Sequence, residues 1–548
     1  MIGPCFRAFL CLALFTGCTH AGSPAVGAEA GAASGARLDI AYRLTIADPD
    51  AHRYEVELRV RGALGDTLRL QMPVWSPGRY AKMDFARNVQ GFAVTGADGA
   101  PVHWDLENGS LWRLYPAGGS ELRVHFLVFA NTLSGTFSVL DSAHANWNGA
   151  SLFPYVDGHK PDPVRLSVVA PAGWQLMNGA ADSVGQRDFT FPDYDHLIDT
   201  PTEVAPAIAV DSFRVDDRLY RVVVHHNGSE RGQRARFVHD VERIVRYENT
   251  VLGPPPLERY TFLFNIGYAG GDGMEHLYST EIIHPVPWSD SAKVLPGIGT
   301  AAHEYIHVWN VKRIRPAALG PFDYTREQYQ PSLWVAEGWT QFYGEIGLLR
   351  AGIVERADYY RALGDAIRAT SELPARTTVS ARMASRLAPF WDGAATPMAV
   401  DRAHSFISYY TKGDALAVLL DLEIRARTHN ARSLDDALRN LRAKSWDAPR
   451  ASYYLQGRGY TEDDVEQAVS AAAGADMHAW FERYVGGTAE LPWAETLALA
   501  GTRLVVSGDS VPHSYTVTER ADATPEQMAV REGWLTGGTT ARPRPASR

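Results

Sequence analysis

The chain has 548 residues, of which 45% are hydrophobic and 21% are charged, and its formal net charge is −10. This composition is typical of a globular protein that is long enough for two to four domains with sizeable cores. The acidic balance and the lack of any long run of lysine or arginine argue against a nucleic-acid partner.

The first eighteen residues, MIGPCFRAFLCLALFTGC, combine one positive charge with a short apolar run, which is typical of a secretory signal peptide. FTGC resembles a lipoprotein cleavage box, which would make Cys18 the lipid-modified residue. The alternative is ordinary cleavage after a small residue such as Ala28 or Ala30. We predict a signal peptide at 1–18, a flexible linker at 19–37, and a protein of the bacterial periplasm, either free or lipid-anchored to the outer membrane.

All cysteines of the chain, Cys5, Cys11 and Cys18, lie in this N-terminal stretch. The remaining residues therefore cannot form a disulfide, provide a thiolate nucleophile or bind a metal through sulfur. Any metal must be bound by His, Asp or Glu. No later stretch approaches the ~18 uninterrupted apolar residues of a membrane-spanning helix.

Short runs of alternating apolar and polar residues dominate from about residue 38, and turn residues separate them. The clearest are LDIAYRLTI, RYEVELRVRG, DTLRLQMPVW, SELRVHFLVFA, VRLSVVAP and RLYRVVVHH. Such alternation is typical of antiparallel β-strands. We therefore predict an all-β, sandwich-like domain over residues 38–212.

The pattern changes near residue 235, where ARFVHDVERIVRYENTVLG has helical periodicity and ends at a glycine. RYTFLFNIG and LYSTEIIHPV are then predicted as strands on either side of the loop YAGGDGMEH, and the first is taken as an edge strand. Further helices are predicted at about 295–313, 331–350, 355–372, 408–428, 433–443, 461–473 and 476–485. This order indicates an α+β catalytic domain over 213–385, a helical C-terminal domain over 386–490 and a short tail over 491–548.

The stretch GTAAHEYIHVWN places His303 and His307 four residues apart, with Glu304 directly after the first histidine. On a helix, this spacing puts both imidazoles on one face, where they can bind one ion. Glu304 then lies about 100° round the helix, where it can reach a metal-bound water without binding the metal. Zinc would need a third protein ligand, with the fourth position left for water.

The stretch PSLWVAEGWTQFYGEIGLL offers that ligand, because Glu337 lies beside Trp334, Val335 and Trp339. A carboxylate among large apolar side chains is costly to bury unless it is paired or metal-bound. The alternative, an exposed helix glutamate, fits these neighbours less well. We therefore predict one zinc ion bound by His303, His307 and Glu337.

Two further motifs could complete an active site. In GGDGMEH, Gly273, Met274 and Glu275 follow a glycine-rich turn beside the predicted edge strand, which could pair with an extended peptide. Glu275 could then bind the terminal ammonium of that peptide. In ISYYTKGDALAVLLDLEIR, Tyr410 starts a predicted helix and could donate to an oxyanion. Taken alone, the glycines would indicate only a loop and the tyrosine only a core residue.

Together these motifs resemble the glycyl aminopeptidase family of gluzincin zinc metallopeptidases. The matching stretches follow the order of that family: MPVWSPGRYAKMDFARNV, GGDGMEHLYS, HEYIHVWNVKRIRP, PFDYTREQYQPSLWVAEGWTQFY and SYYTKGDALAVLLDLEIR. The resemblance implies a thermolysin-like catalytic domain, with Glu304 as general base, Glu275 as the anchor of the substrate amine and Tyr410 as oxyanion donor. It also implies peptide substrates with a free N-terminus and removal of small residues such as glycine or alanine.

Members of that family commonly end in a PDZ domain, whereas the stretch that follows LPWAE here is too short for one. We therefore expect the PDZ domain to be missing or reduced to a strand-like remnant. Two alternatives to a zinc aminopeptidase stay open, namely a gluzincin endopeptidase and a non-catalytic peptide-binding lipoprotein. The sequence does not define the oligomeric state.

Overall fold

The computed structural model describes residues 36–392, 402–449 and 456–540. The predicted signal peptide, with Cys5, Cys11 and Cys18, and nearly all of the predicted linker lie outside the described residues. Within the described ranges, no helix is both long enough and apolar enough to cross a membrane.

The N-terminal domain, residues 38–205, is built mainly from β-strands, as predicted. Its elements are β1 Asp39–Thr45, β2 Arg53–Arg61, β3 Leu68–Gln71, β4 Val89–Gly96, β5 Trp104–Asn108, β6 Leu111–Leu114, β7 Glu121–Phe129, β8 Val139–Leu140, β9 Ala145–Trp147, β10 Tyr155–Val156, β11 Val164–Val169, β12 Gln175–Asn178, β13 Asp188–Phe191, helix α1 Tyr194–Ile198 and β14 Thr202–Ala205. Strand β2 alternates buried and partly exposed residues, which gives the period-two pattern seen in the sequence.

The strands of this domain form three sheets around one hydrophobic core. A six-stranded sheet has the order β13-β11-β1-β2-β7-β4, and two four-stranded sheets have the orders β10-β3-β6-β5 and β12-β14-β9-β8. Most neighbours are antiparallel, but β1 runs parallel to β11. The alternation in the sequence identified the strands without fixing this direction, because both kinds of pairing have the same period.

The catalytic domain begins with a five-stranded sheet whose order is β15-β16-β17-β19-β18. Its elements are β15 Ala209–Val215, β16 Arg218–His226, α2 Arg234–Leu252, β17 Arg259–Ile266, β18 Asp272–Glu275, β19 Ser279–His284 and α3 Ile298–Ile306. The predicted domain boundary at residue 212 therefore falls inside β15, and RLYRVVVHH, which is β16, belongs to the catalytic sheet.

The predicted edge strand is wrong. RYTFLFNI forms β17, which lies in the middle of the sheet between two parallel neighbours, and all but its first residue are buried. The edge is β18, which the predicted loop YAGGDGMEH contributes by pairing antiparallel to β19. A near-continuous apolar run is typical of a strand covered on both faces, whereas a short glycine-containing edge strand lacks any periodic signal.

Helices make up most of the remaining chain, as predicted. They are α4 Leu333–Ala336, α5 Gly338–Arg350, α6 Arg356–Glu372, α7 Ala381–Arg386, α8 Ala388–Trp391, α9 Arg402–Ser405, α10 Tyr409–Arg427, α11 Leu434–Ser445, α12 Glu462–Ala473, α13 His478–Phe481, α14 Trp493–Leu499 and α15 Pro525–Thr536. Helices α5 and α10 meet backbone to backbone, because a Cβ atom on either Gly338 or Gly413 would collide with the other helix. This close approach brings the start of α10 beside Glu337.

The predicted tail contains a β-hairpin, β20 Thr502–Ser507 and β21 Ser514–Glu519, between α14 and α15. The tail packs onto the body of the protein through α15, because Arg350 of α5 donates to the main-chain oxygen of Trp534 over 2.6 Å. The helical C-terminal region and the catalytic sheet share one hydrophobic core.

Candidate active site

The three predicted metal ligands converge on one point. His303 Nε2 and His307 Nε2 are 3.1 Å apart, and Glu337 Oε2 lies 3.5 Å from the first and 3.3 Å from the second. Bonds of 2.0–2.1 Å in a tetrahedral zinc site would hold neighbouring ligand atoms about 3.3–3.4 Å apart. The observed triangle and its donor set of two imidazoles and one carboxylate therefore fit a single zinc ion.

The local backbone differs from the predicted helices at both ends of this triangle. Helix α3 stops at Ile306, so that His307 is its C-cap, and residues 307–313 form turns instead of continuing the helix. The predicted helix 331–350 is divided at Glu337, which ends α4 and begins α5. The break aims the carboxylate at the two imidazoles.

A layer of hydrogen bonds orients these ligands. His307 Nδ1 lies 2.7 Å from the main-chain oxygen of Asn310, so that the Nδ1–H donates there and Nε2 is left to face the site. Thr340 Oγ1 donates to the same oxygen over 3.1 Å. The ring of His307, a predicted metal ligand, is thereby fixed in both tautomer and orientation.

The buried carboxylates of this cluster favour a positive charge beside them. Burial alone would lower the pKa of His307, but the charges of Glu337 and Glu275 raise it to about 10. Although burial opposes it, the imidazole of His307, together with His303, holds the pKa of Glu337 well below its usual range. A divalent cation would take the place of the proton that these carboxylates otherwise hold on the imidazole.

Glu304, the predicted general base, is buried beside the edge strand. Burial raises the pKa of its carboxyl well above the usual range, and its Oε2 has no hydrogen-bond partner among the described residues. A Cβ atom on Gly273 would overlap Glu304 Oε1, so only glycine allows β18 to come this close. Gly273, which is predicted to bind substrate, therefore borders the predicted general base Glu304 through its backbone.

Glu275 lies at the end of β18, and its ligand atom is within 4.8 Å of those of Glu304 and His307. It is 4% exposed, since a loop of the N-terminal domain covers it at Gly78. The space beside it has a volume of about 20 Å³. Met274, also predicted to bind substrate, turns its side chain toward Gly78 and Gly135 of the N-terminal domain, which leaves only its backbone to border the edge.

Tyr410 stands at the open side of the site. Its ring lies over that of His303, with 6.0 Å between centroids. It lines two cavities of the cleft, of about 470 and 480 Å³, which also share Arg79 and Asp272. The first cavity includes His303 and Glu304, and the second has apolar walls that include Leu133, Phe137, Trp391, Phe406 and Tyr409.

Sequence reasoning missed Tyr80, which donates its hydroxyl hydrogen bond to Glu337 Oε1. The residue lies in SPGRY, within the stretch MPVWSPGRYAKMDFARNV that carries the family resemblance. Nothing local in that stretch indicates a contact with a residue 257 positions away.

A second histidine and carboxylate cluster joins the N-terminal domain to the catalytic sheet. Glu203 Oε1 lies 3.0 Å from His144 Nδ1 and 2.8 Å from His225 Nδ1. The His144 contact is a hydrogen bond and the His225 contact is an N···O ion pair, while the other oxygen, Glu203 Oε2, accepts from the side-chain amides of Asn146 and Asn265. This cluster therefore fits a buried charge network better than a metal site.

Comparison with protein families matches two models to the chain. The Peptidase M61 N-terminal domain matches residues 41–206, and the M61 glycyl aminopeptidase model matches residues 297–416. The second range contains His303, Glu304, His307, Glu337 and Tyr410. No curated protein matches the chain.

Among solved structures, the chain is similar to an aminopeptidase N family protein from Idiomarina loihiensis, with 25% identity, a TM-score of 0.75, and coverage of 85% of this chain and 79% of that chain. An M1 zinc metallopeptidase from Deinococcus radiodurans has 15% identity, a TM-score of 0.48, and coverage of 83% and 96%. Yeast LTA4 hydrolase has 14% identity, a TM-score of 0.47, and coverage of 85% and 71%.

Proposed function

Because the chain belongs to the M61 glycyl aminopeptidase family of peptidases, we propose that it is a zinc-dependent aminopeptidase that removes small N-terminal residues such as glycine and alanine from peptides. The observation that carries this proposal is the triangle of His303, His307 and Glu337, whose ligand atoms are 3.1–3.5 Å apart. The N-terminal sequence further supports export to the bacterial periplasm, with Cys18 as a candidate site for a lipid.

Zinc, when bound to these ligands, would lower the pKa of a water toward ~7 and polarise the scissile carbonyl. Glu304 takes the proton from the attacking water and later delivers it to the leaving amine. Its buried position suits this role, since burial raises the pKa of its carboxyl and makes it a better proton acceptor. Tyr410 donates from the open side of the cleft to the oxyanion of the tetrahedral intermediate.

Glu275 binds the substrate ammonium and thereby fixes the distance between the N-terminus of the peptide and the bond that is cleaved. Its carboxylate lies at the end of the edge strand and close to Glu304, which suits a scissile bond one residue away from the amine. The space of about 20 Å³ beside Glu275 supports a preference for small first residues, because it holds little more than a water-sized group. The rest of the peptide then runs along β18 toward Asp272 and the two larger cavities.

The test is hydrolysis of glycyl- and alanyl-arylamides by the purified protein, together with its zinc content. We expect one zinc per chain, cleavage of both free-amine substrates, and no cleavage of their N-acetylated forms. Equal rates on acetylated and free peptides would indicate an endopeptidase. Zinc binding without hydrolysis of any peptide would indicate a non-catalytic peptide-binding protein.

A further inference from the structure

Tyr80 links the N-terminal domain to the predicted metal ligand Glu337. The two carboxylate oxygens of Glu337 have separate partners, because Oε2 lies within 3.5 Å of both histidine Nε2 atoms while Oε1 accepts the hydrogen bond from the Tyr80 hydroxyl. We infer that Tyr80 is a positioning residue that holds Glu337 as a one-oxygen ligand, so that the N-terminal domain completes the metal site.

The energetics favour a fixed contact. Glu337 is 1% exposed, and a buried carboxylate oxygen without a hydrogen-bond donor is destabilising. Tyr80 is itself buried, and its hydroxyl hydrogen points at Glu337 Oε1. The phenol therefore provides the donor that this oxygen needs inside the protein.

The rest of Tyr80 is also held in place. Its main-chain N–H donates to Asp392 Oδ2 over 2.9 Å. Its ring stands edge-on to that of Tyr409, with 6.0 Å between centroids. Since both the backbone and the ring are anchored, the hydroxyl can impose a position on Glu337.

Tyr80 and Tyr410 occupy different sides of the site. Tyr410 lines both cavities of the cleft, whereas Tyr80 borders the small space beside Glu275 and is absent from the described residues that line those cavities. Tyr80 therefore contacts the predicted metal ligand Glu337, whereas Tyr410 borders the space for substrate. We expect loss of the Tyr80 hydroxyl to weaken metal binding itself.

The neighbours of Tyr80 extend this link to the edge strand. Gly78 packs against Met274 and Glu275, and Arg79 forms an ion pair with Asp272 at the other end of β18. Three consecutive residues of the N-terminal domain thus hold the edge strand and the metal ligand in a common position. The catalytic domain by itself would lack all three contacts.

The experiment is to measure zinc affinity of the full chain by competition with a chromophoric chelator, without any peptide. Tyr80→Phe should bind zinc about 10- to 100-fold more weakly than the parent, the usual cost of losing a hydrogen bond to a metal ligand. Tyr42→Phe is the matched control, because it removes the buried hydrogen bond from the Tyr42 hydroxyl to the Pro154 carbonyl, in the same domain but away from the metal site. It should bind zinc like the parent.

A zinc affinity of Tyr80→Phe equal to that of the parent would overturn the inference. A second measurement separates positioning from general destabilisation: in a Glu337→Gln background, Tyr80→Phe should cause no further loss of zinc affinity. The same fold-loss in both backgrounds would mean that Tyr80 acts on the fold and not on Glu337. Because no substrate is used, a protein that binds zinc as described but hydrolyses no peptide would contradict the proposed function and leave this inference standing.

Discussion

Asn310 donates its side-chain amide to the main-chain oxygen of Val335 over 3.0 Å, and thereby joins the turn after His307 to the helix that ends at Glu337. The same amide lies 3.1 Å from Thr340 Oγ1 on the next helix, and the main-chain oxygen of Asn310 faces His307 Nδ1. One residue thus ties together the two segments that carry the predicted metal ligands His307 and Glu337.

Replacing Asn310 should therefore affect the metal site as well as the fold. Asn310→Ala leaves buried carbonyl groups without their donor, and we expect it to lower the free energy of unfolding by about 1–3 kcal/mol. It should also reduce the additional stability that zinc confers, as measured by urea unfolding with and without zinc. Asn440→Ala, which removes a similar side-chain hydrogen bond to Ala468 far from the site, is the control. Full zinc stabilisation of Asn310→Ala would contradict this linkage.

Glu304→Gln should retain zinc and lose turnover. The amide has the size of the carboxylate and keeps the packing against Gly273, but it cannot accept the proton of the attacking water. We expect kcat on an alanyl-arylamide to fall by a factor of about 10²–10⁴, with zinc content unchanged. Cleavage at the parental rate would show that another group is the base.

Glu275→Gln should discriminate against the free amine. The charge-assisted hydrogen bond to the ammonium is lost while the buried volume is kept, so kcat/KM for a free-amine peptide should fall about 10- to 100-fold. Zinc affinity, measured by chelator competition, should not change, because Glu275 is not one of the predicted ligands. A parallel loss of zinc affinity would mean that Glu275 supports the site without recognising the amine.

Much of this site can be predicted from the sequence because its chemistry is local. The spacing of His303 and His307 places both side chains on one face of a helix. The apolar neighbours of Glu337 make it costly to bury its carboxylate unless it is paired or metal-bound. The long helices α5 and α10 can be predicted from the length and composition of their sequence segments. In each case the signal lies within one turn or one element of the residue concerned.

The parts that sequence reasoning missed depend on contacts between distant segments. Tyr80 and Glu337 lie in different domains, and no periodic pattern in the sequence indicates their contact. The edge strand β18 exists only because β19 pairs with it, so its glycines look like a loop. The near-continuous apolar run of β17 is typical of a central strand, so the prediction of an edge strand there was wrong.

Tyr410→Phe should lower kcat, whereas Tyr80→Phe should weaken zinc affinity. If Tyr410 donates only to the oxyanion, removal of its hydroxyl should lower kcat by a factor of about 10²–10³ and leave KM and zinc affinity near the parental values. Steady-state kinetics and chelator competition on the same preparation provide both measurements. A weaker zinc affinity in Tyr410→Phe would place this phenol among the groups that organise the metal ligands.

The buried carboxyl of Glu281, next to the cluster that joins the two domains, should make stability depend on pH. Burial disfavours its charged form and raises its pKa from 4.5 to about 8, even though Asn148 and Asn146 donate to it. The folded protein therefore retains a proton that the unfolded chain releases above its pKa of 4.5. The contribution of Glu281 to stability is fully present below that value and is lost as the pH rises to about 8.

Over this window, the free energy of unfolding should fall with a slope from this group of up to about 1.4 kcal/mol per pH unit. Glu203 acts in the opposite direction and outside the window: despite its burial, His144 and His225 hold the pKa of Glu203 below its usual range, so its contribution is lost only as the pH falls below 4.5. Urea unfolding at pH 5, 6, 7 and 8 should therefore show a flatter decline for Glu281→Gln, which cannot ionise, than for the parent. Glu107→Gln, exposed on β5, should keep the parental slope. If Glu281→Gln declined as steeply as the parent, the proton held in the folded state would have to reside on another group of this interface.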